Sequence, residues 1–578
     1  MGILIAIAIG VGTYIFCVIA SLANNVHIAR RSGLPVLVQP MHCTNPLYMA
    51  TMVFWRPIIQ RLPFGLSQWK YLHFFYMDWA FHTRDAQFEE YGDMFIIATP
   101  GGNILFVGDA GVFGTSPWNR AFELDLVQRG FVSSATRLSL YTEGSKWRQH
   151  RKITSPPFSE AVNSAVWKTT LSQATYLLAA WTSTPASSSQ PVIRGIRTVA
   201  RNVLSSAGFG VDIPFAPSSS ENPSQTDEND TRFGAIAPAD HVLPYGEALD
   251  WLIANFITLL LVPPWMQRRG PAAWRTTAAA YADTRSYISE LLERERQRLL
   301  GSSSLGTKKN LLGALVATSD GAAKHEQLSQ TELVGNVFVF AVAGLETTAG
   351  TMQYALTQLA LRRDLQEWMW TDLDVALKGM SEDPTEWDYS VVWPKLIAPL
   401  CIIHETLRLF PTFQSLPKWT SSSPQTVTYK SSPITIPPAT SVFLTLSSLH
   451  SKRKYWGPQA TLFRPQAWDV RIPDSGWSTN PPAGLGAAPF CHLRQPPVQG
   501  CYIPFAEGFR QCLGKNFALV EMAAIMTVLF RAHSCRVARR DGETQEDADA
   551  RARNSVAESV SQLSIMMKED IELVWERR

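Results

Sequence analysis

One stretch combines a soft sulfur ligand with a setting able to charge it. Phe505 to Phe517 reads FAEGFRQCLGKNF, with Cys512 four residues after Gly508, two after Arg510 and two before Gly514. The apolar run ALVEMAAIMTVLF follows at helical spacing, so the cysteine stands where a turn feeds a helix N-terminus. Free backbone N–H groups and the helix dipole favour a thiolate there. A depressed thiol pKa suits a nucleophile, a redox thiol or a soft metal ligand. On its own the stretch leaves all three open, beside an ordinary role for one cysteine among seven.

Three further groupings carry chemistry-bearing residue types. Ser329-Gln330-Thr331-Glu332 is a capping box, and the helix it opens runs about thirty residues through LVGNVFVFAVAGLETTAGTMQYALTQLAL. In its middle, Gly344 costs ~1 kcal/mol relative to Ala and stands beside Glu346, Thr347 and Thr348. Small residues let another group approach the backbone, and Ala343 and Thr347 share a face. A kinked core helix with its threonines bonded back to the chain accounts for the same pattern. In SKWRQHRKI, Trp147 and Arg151 are four apart on one helix face. They offer an indole and a guanidinium to one anionic group, or form part of a surface basic stripe. Glu405 and Arg408 face each other within LIAPLCIIHETLRLFP. Their apolar setting predicts a buried pair, of order 3–5 kcal/mol to break, and hence a structural role.

The elements positioning these residues follow from the rest of the chain. At 578 residues the protein can bury a large core, and a net charge of +3 gives no sign of nucleic-acid binding. The cysteines are scattered without a CxxC, against a disulfide scaffold or a zinc site and in keeping with a reducing compartment. GxGxxG, Walker, HExxH and GxSxG motifs are absent. Ile3 to Ala23 is apolar for about 20 residues, enough to span a bilayer, with Arg30 and Arg31 following on the expected cytosolic side. The apolar core is too long for a signal peptide cleaved at Ser21-Leu22-Ala23, and no basic residue precedes it. The expected organisation is an anchor over 1–29, a basic, proline-containing hinge over 30–45, and one large domain over 46–578 with loop insertions at about 216–231 and 472–500.

Within that domain, the spacing predicts a helix over about Tyr76 to Tyr91 and a hairpin in MFIIATPGGNILFV. Trp251 to Met266 reads either as a buried helix or as a patch dipping into the membrane. A charged helix over about Ala272 to Leu300, strands in TVTYK and SVFLTLSS, and a terminal hairpin-like LSIMMKEDIELVW complete a mainly α chain with a smaller β-rich region.

Taken in order, FAEGFRQCLG, AGLETT, ETLR and WRQHR, with the N-terminal anchor and proline hinge, resemble the cytochrome P-450 family. FAEGFRQCLG fits the family's haem signature F-x-x-G-x-R-x-C-x-G at every fixed position, and the overall style is similar to filamentous-fungal members. The resemblance implies a P-450 fold and a haem-thiolate monooxygenase in the endoplasmic reticulum membrane, catalytic domain cytosolic, oxidising an apolar small molecule. It implies haem b, with electrons from NADPH through NADPH–cytochrome P-450 reductase and cytochrome b5 as a further donor. Cys512 would be the iron ligand; Gly508 and Gly514 would let the loop pass close to the porphyrin, and Phe505 would cover the sulfur. Arg510, Trp147 and Arg151 would hold the propionates. Gly344 would open a groove for dioxygen, with Glu346 and Thr347 relaying protons. A haem-thiolate isomerase or dehydratase working without reductase is the alternative within the same chemistry, and a haem-deficient membrane-anchored scaffold is the alternative outside it. Two positions depart from the family. Ala467 stands where an Arg usually completes a network with Glu405 and Arg408, and Lys418 where many members carry a propionate-binding Arg. Weaker haem retention is the expectation from the first.

Overall fold

The computed structural model describes residues 2–43, 74–114, 144–183, 191–213, 232–301, 310–472 and 493–578, apart from 235, 325, 421, 562 and 563, together with Phe215, Trp477 and scattered positions between 45 and 72. The expected insertion at 216–231 lies outside the described residues, as does most of that at 472–500.

The uncharged N-terminus forms one continuous helix, α1 (Gly2–Arg30), exposed from Leu4 to Ile19. The expected hinge then contributes a strand, β1 (Val36–Val38), which runs parallel to β2 (Met94–Thr99). MFIIATPGGNILFV makes the expected hairpin of β2 with β3 (Gly102–Val107), turning through Pro100-Gly101. With β4 (Ser415–Trp419) and β5 (Thr440–Thr445), these strands build a five-stranded sheet in the order β1-β2-β3-β5-β4.

The helices form the larger layer. α2 (Gly144–Thr154) carries the WRQHR segment. α3 (Glu160–Ser183) packs along α8 (Lys515–Phe530), the helix that follows Cys512. α4 (Val192–Val203) and α5 (Ala272–Gly301) pack against α6 (Gln330–Leu361), which begins at the predicted capping box with both reciprocal bonds made. α7 (Ala398–Leu409) carries Glu405 and Arg408, and all twelve of its residues are buried. α6 is buried over most of its length because neighbours cover it on several sides, which is why its composition is apolar all round.

Two expected elements differ. The helix over Tyr76 to Tyr91 is two short ones, Trp79–Thr83 and Ala86–Tyr91, parted by Arg84 at φ 53°. The Arg84 guanidinium lies 4.3 Å from the Phe81 ring centroid and donates to the Leu409 carbonyl, and these tertiary contacts hold the left-handed kink. The terminal segment does not fold on itself as one hairpin: Ile565–Met566 pairs with Val560–Ser561, while Leu573–Arg577 pairs with His533–Val537. Of Trp251 to Met266, Leu252 and Ile253 lie in the core, as the buried-helix reading expects, and Trp265 is exposed beyond a break at Asn255.

Candidate active site

The loop before α8 folds back on itself. Cys512 N–H donates to the Phe505 carbonyl at 2.9 Å and Gln511 N–H to the Gly508 carbonyl at 3.1 Å. This path needs left-handed backbone at Ala506 (φ 55°) and Gly508 (φ 75°), a conformation that glycine adopts without steric cost. Gly514 caps α8, so Cys512 does stand at a helix start. Its thiol, however, is not depressed as the dipole argument predicts. Burial among protein atoms pushes it up, and the Gly514 N–H and the charges of Arg151 and Lys515 pull it down only in part. The residue is nonetheless accessible. A group both enclosed by protein and reachable fronts an interior cleft. Of the rival thiols, Cys501 is fully buried and pushed up to about 12 by that burial, and Cys491 lies outside the described residues.

The basic groups converge on this loop. Arg151 Nη1 donates to the Gln511 carbonyl at 2.8 Å, and the Arg510 guanidinium lies 4.8 Å from the Trp147 ring centroid. Their helix α2 is clamped to the start of α6. Lys146 pairs with Glu332 at 2.6 Å, His150 Nε2 lies 3.5 Å from the same carboxyl, and Gln149 donates to the Glu326 carbonyl at 2.9 Å. Burial works against the Glu332 charge, but Lys146 and the Ser329 N–H and hydroxyl bring its pKa to about 2. The capping box therefore serves two elements.

On α6, the residues between Glu332 and Thr357 that are not buried are Phe340, Ala343, Gly344 and Thr347. Their spacing of three, one and three puts them on one face. This stripe lies mid-way along a core helix, so it fronts an internal cleft. Thr347 Oγ1 donates to the Ala343 carbonyl at 2.7 Å. A Cβ added at Gly344 would meet Leu204 at 3.5 Å, an ordinary contact. Packing alone does not demand glycine there; its effect is to keep the stripe low. Phe158 joins the halves of the site: its ring meets Phe340 edge to face at 5.4 Å, and its Cε1 is 3.8 Å from the Cβ position of Gly514. Glu346 does not share the stripe. It is buried, pairs with Arg197 Nη2 at 2.8 Å and accepts from Ser564 Oγ at 3.3 Å.

Behind the loop, the Glu405 carboxylate accepts from Arg408 Nε (2.7 Å) and Nη2 (2.8 Å), from Arg464 N–H (2.7 Å) and from Trp468 Nε1 (2.9 Å). Burial opposes its charge, but Arg408 and the other donors hold its pKa below the usual value. The donor missing at Ala467 is thus supplied by the next residue. Lys418 is half-buried on β4.

A reachable thiol at a helix start, two guanidiniums and an indole gathered near it, and a low stripe carrying one hydroxyl form a donor set that fits an iron porphyrin with two carboxylates. A model of the cytochrome P-450 family matches residues 88–556. The chain belongs to the cytochrome P-450 family. It is 26% identical to a cytochrome P-450 monooxygenase of Arthrobotrys oligospora, over 97% of this chain and 98% of the relative. It is also 26% identical to one of Penicillium roqueforti, over 89% and 88%. A phomenoic acid biosynthesis cluster cytochrome P-450 monooxygenase of Leptosphaeria maculans is 23% identical over 71% and 70%. This P-450 is accordingly a haem-thiolate monooxygenase. Arg197, Ser564, Phe158 and Trp468 were not legible as site residues. Trp468 alone had a local signal, its place beside Ala467.

Proposed function

We propose that this P-450 inserts one oxygen atom from dioxygen into an apolar small molecule of fungal secondary metabolism. Its anchor α1 would lie in the endoplasmic reticulum membrane with the catalytic domain of residues 46–578 cytosolic. Electrons would come from NADPH through NADPH–cytochrome P-450 reductase, with cytochrome b5 as a further donor. The carrying observation is the accessible stripe Phe340, Ala343, Gly344 and Thr347 on α6, which is otherwise buried between Glu332 and Thr357, linked through Phe158 to the Cys512 loop.

When bound at Cys512, haem b supplies the iron centre at which dioxygen is activated. The chain's own groups position and protonate. Arg510 and Arg151 would give charge-assisted bonds to the haem carboxylates, a task suited to a forked cation, with the Trp147 indole beside Arg510. Phe505 shields the sulfur from water. Gly508 and Gly514, lacking a Cβ, would let the loop and the start of α8 approach the cofactor closely. Ala343 and Gly344 would leave room for dioxygen in the cleft. The Thr347 hydroxyl gives its one proton to the Ala343 carbonyl, which leaves its oxygen free to accept a hydrogen bond from the cleft; rotation about Cα–Cβ would let it pass on a proton supplied by Glu346, on the side held by Arg197. Glu405 and Arg408 brace the loop from behind. The anionic relay beside the threonine favours oxygen insertion over a rearrangement that needs no protons.

The test is the reduced, carbon monoxide-bound absorption spectrum of wild type and Cys512→Ser. A thiolate-type Soret band is expected in the wild type and not in C512S. Its absence from the wild type overturns the reading. Thr347→Ala should keep that band while NADPH consumption is diverted from product to peroxide; unchanged coupling removes Thr347 from the proton path.

A further inference from the structure

The anchor is joined to the catalytic domain by more than its connecting chain. Ser21 Oγ donates to the Pro100 carbonyl at 2.7 Å, Asn25 Nδ2 to the Thr99 carbonyl at 2.8 Å, and Asn103 Nδ2 to the Asn25 carbonyl at 3.2 Å. Ser21 and Asn25 are one turn apart on one face of α1, and all three bonds converge on the β2–β3 turn and its first residues. Ala29, near the end of α1, is fully buried in the main core. The following residues stay on the same strands: Ile96 N–H donates to the Pro35 carbonyl at 2.8 Å, β1 pairs with β2 from Val36↔Ile96 to Val38↔Ala98, and Gln39 N–H donates to the Ala98 carbonyl at 2.9 Å. From residue 21 to residue 39 the chain has repeated fixed points on one hairpin.

The position of these contacts matters as much as their number. The apolar part of α1, residues 2–20, rises about 29 Å at 1.5 Å per residue, and the hydrocarbon core it would cross is about 30 Å thick. No turn of helix is left over as a spacer. The bilayer boundary falls where Ser21 first bonds Pro100. The β2–β3 turn then lies at the headgroups, and His27, Arg30 and Arg31 lie on the domain side.

We propose that α1 and the five-stranded sheet form one rigid body, so that the anchor sets the tilt of the catalytic domain on the lipid surface, with the Pro100-Gly101 turn against the headgroups. Residues 30–39 then act as a packed connection and not as a swivel. The proposal rests on reading α1 as a membrane anchor.

The experiment uses full-length, haem-loaded enzyme in oriented bilayers of phosphatidylcholine with a minor share of phosphatidylserine, and reads the linear dichroism of the Soret band. The wild type should give a narrow distribution of haem tilt. Ser21→Ala with Asn25→Leu, which alters only the helix side of the clamp, should lower the orientational order at least twofold while leaving the carbon monoxide difference spectrum unchanged. A wild type with broadly distributed tilt overturns the proposal without recourse to any variant, and so does a double variant that keeps both its fold and the wild-type order. Should the wild type fail to float with bilayers at all, the anchor reading itself falls. Flotation with unordered haem sinks only the clamp.

Discussion

The neighbour of Ala467 is open to a quantitative test. Four donors reach the Glu405 carboxylate, and one of them is the Trp468 indole N–H at 2.9 Å. Both residues are buried, Glu405 at 1% and Trp468 at 2% exposure. Trp468→Phe removes that donor while keeping an aromatic ring in the cluster of Trp456, Trp477 and Tyr502. A hydrogen bond to a buried charge is worth ~1.5–3 kcal/mol, and the smaller ring adds roughly 1 kcal/mol of packing loss. The expected destabilisation is therefore about 2.5–4 kcal/mol. For a domain of this size, 1 kcal/mol shifts Tm by roughly 1 °C, so W468F should melt about 2.5–4 °C lower when followed at the Soret band, and lose haem faster. A cycle with Glu405→Gln separates the two contributions. In the E405Q background, where the acceptor carries no charge, the cost of W468F should shrink to the packing part. If the full cost persists there, the indole bond does not brace Glu405 and the reasoning fails.

Glu521 sits on α8, buried at 1% exposure, and burial, opposed only by a bond from Thr348, raises its pKa to about 8. The folded state keeps that proton while the unfolded chain has lost it above the ordinary carboxyl value. Stability from this group is thus full at acidic pH and lost as pH rises through about 8, at up to ~1.4 kcal/mol per pH unit. Glu521→Gln should flatten this part of the profile in melts at pH 5.5 and 8; parallel profiles refute it. Arg197→Ala should leave Glu346 with Ser564 as its one remaining partner among the described contacts, and lower the yield of product per NADPH without loss of the carbon monoxide band. Lysine at 197 should restore much of that yield, and undiminished coupling in R197A removes the pair from proton delivery. Gly508→Ala places a Cβ at φ 75°, with an expected cost of about 1–2 kcal/mol, read as reduced haem occupancy; wild-type occupancy would show the loop tolerates another path.

How much of this was legible depended on how far apart the cooperating residues lie. The Cys512 loop, the capping box of α6 and the β2–β3 turn are local patterns, and each forms where its pattern lies. Arg197 reaches Glu346 across 149 positions, and Ser564 reaches the same carboxylate across 218; no local periodicity marks such partners. The broken helix at Arg84 has the same origin, because the Leu409 carbonyl that holds the kink is 325 residues away. At Cys512 two effects oppose each other: the helix terminus favours the thiolate, and desolvation, the larger effect in this enclosure, disfavours it, so local sequence shows the first and not the second.

Ala467 sharpens the point about transferring residue types by position. An arginine is usual there because a buried carboxylate with only one cationic partner keeps lone pairs unsatisfied, and unsatisfied buried charge is costly. The requirement is for a donor at the carboxylate, not for a second positive charge. Arg408 already neutralises Glu405, and its remaining N–H groups go to the His450, Ala460 and Leu462 carbonyls. An indole N–H from Trp468 and a backbone N–H from Arg464 complete the acceptor's shell without placing a further cation beside Arg408. A second arginine here would need its own acceptors in a region where those carbonyls are already taken. The alanine is therefore the small residue that lets its neighbour's indole turn inward, and the loss of haem retention expected from its identity alone does not follow from the network that surrounds it.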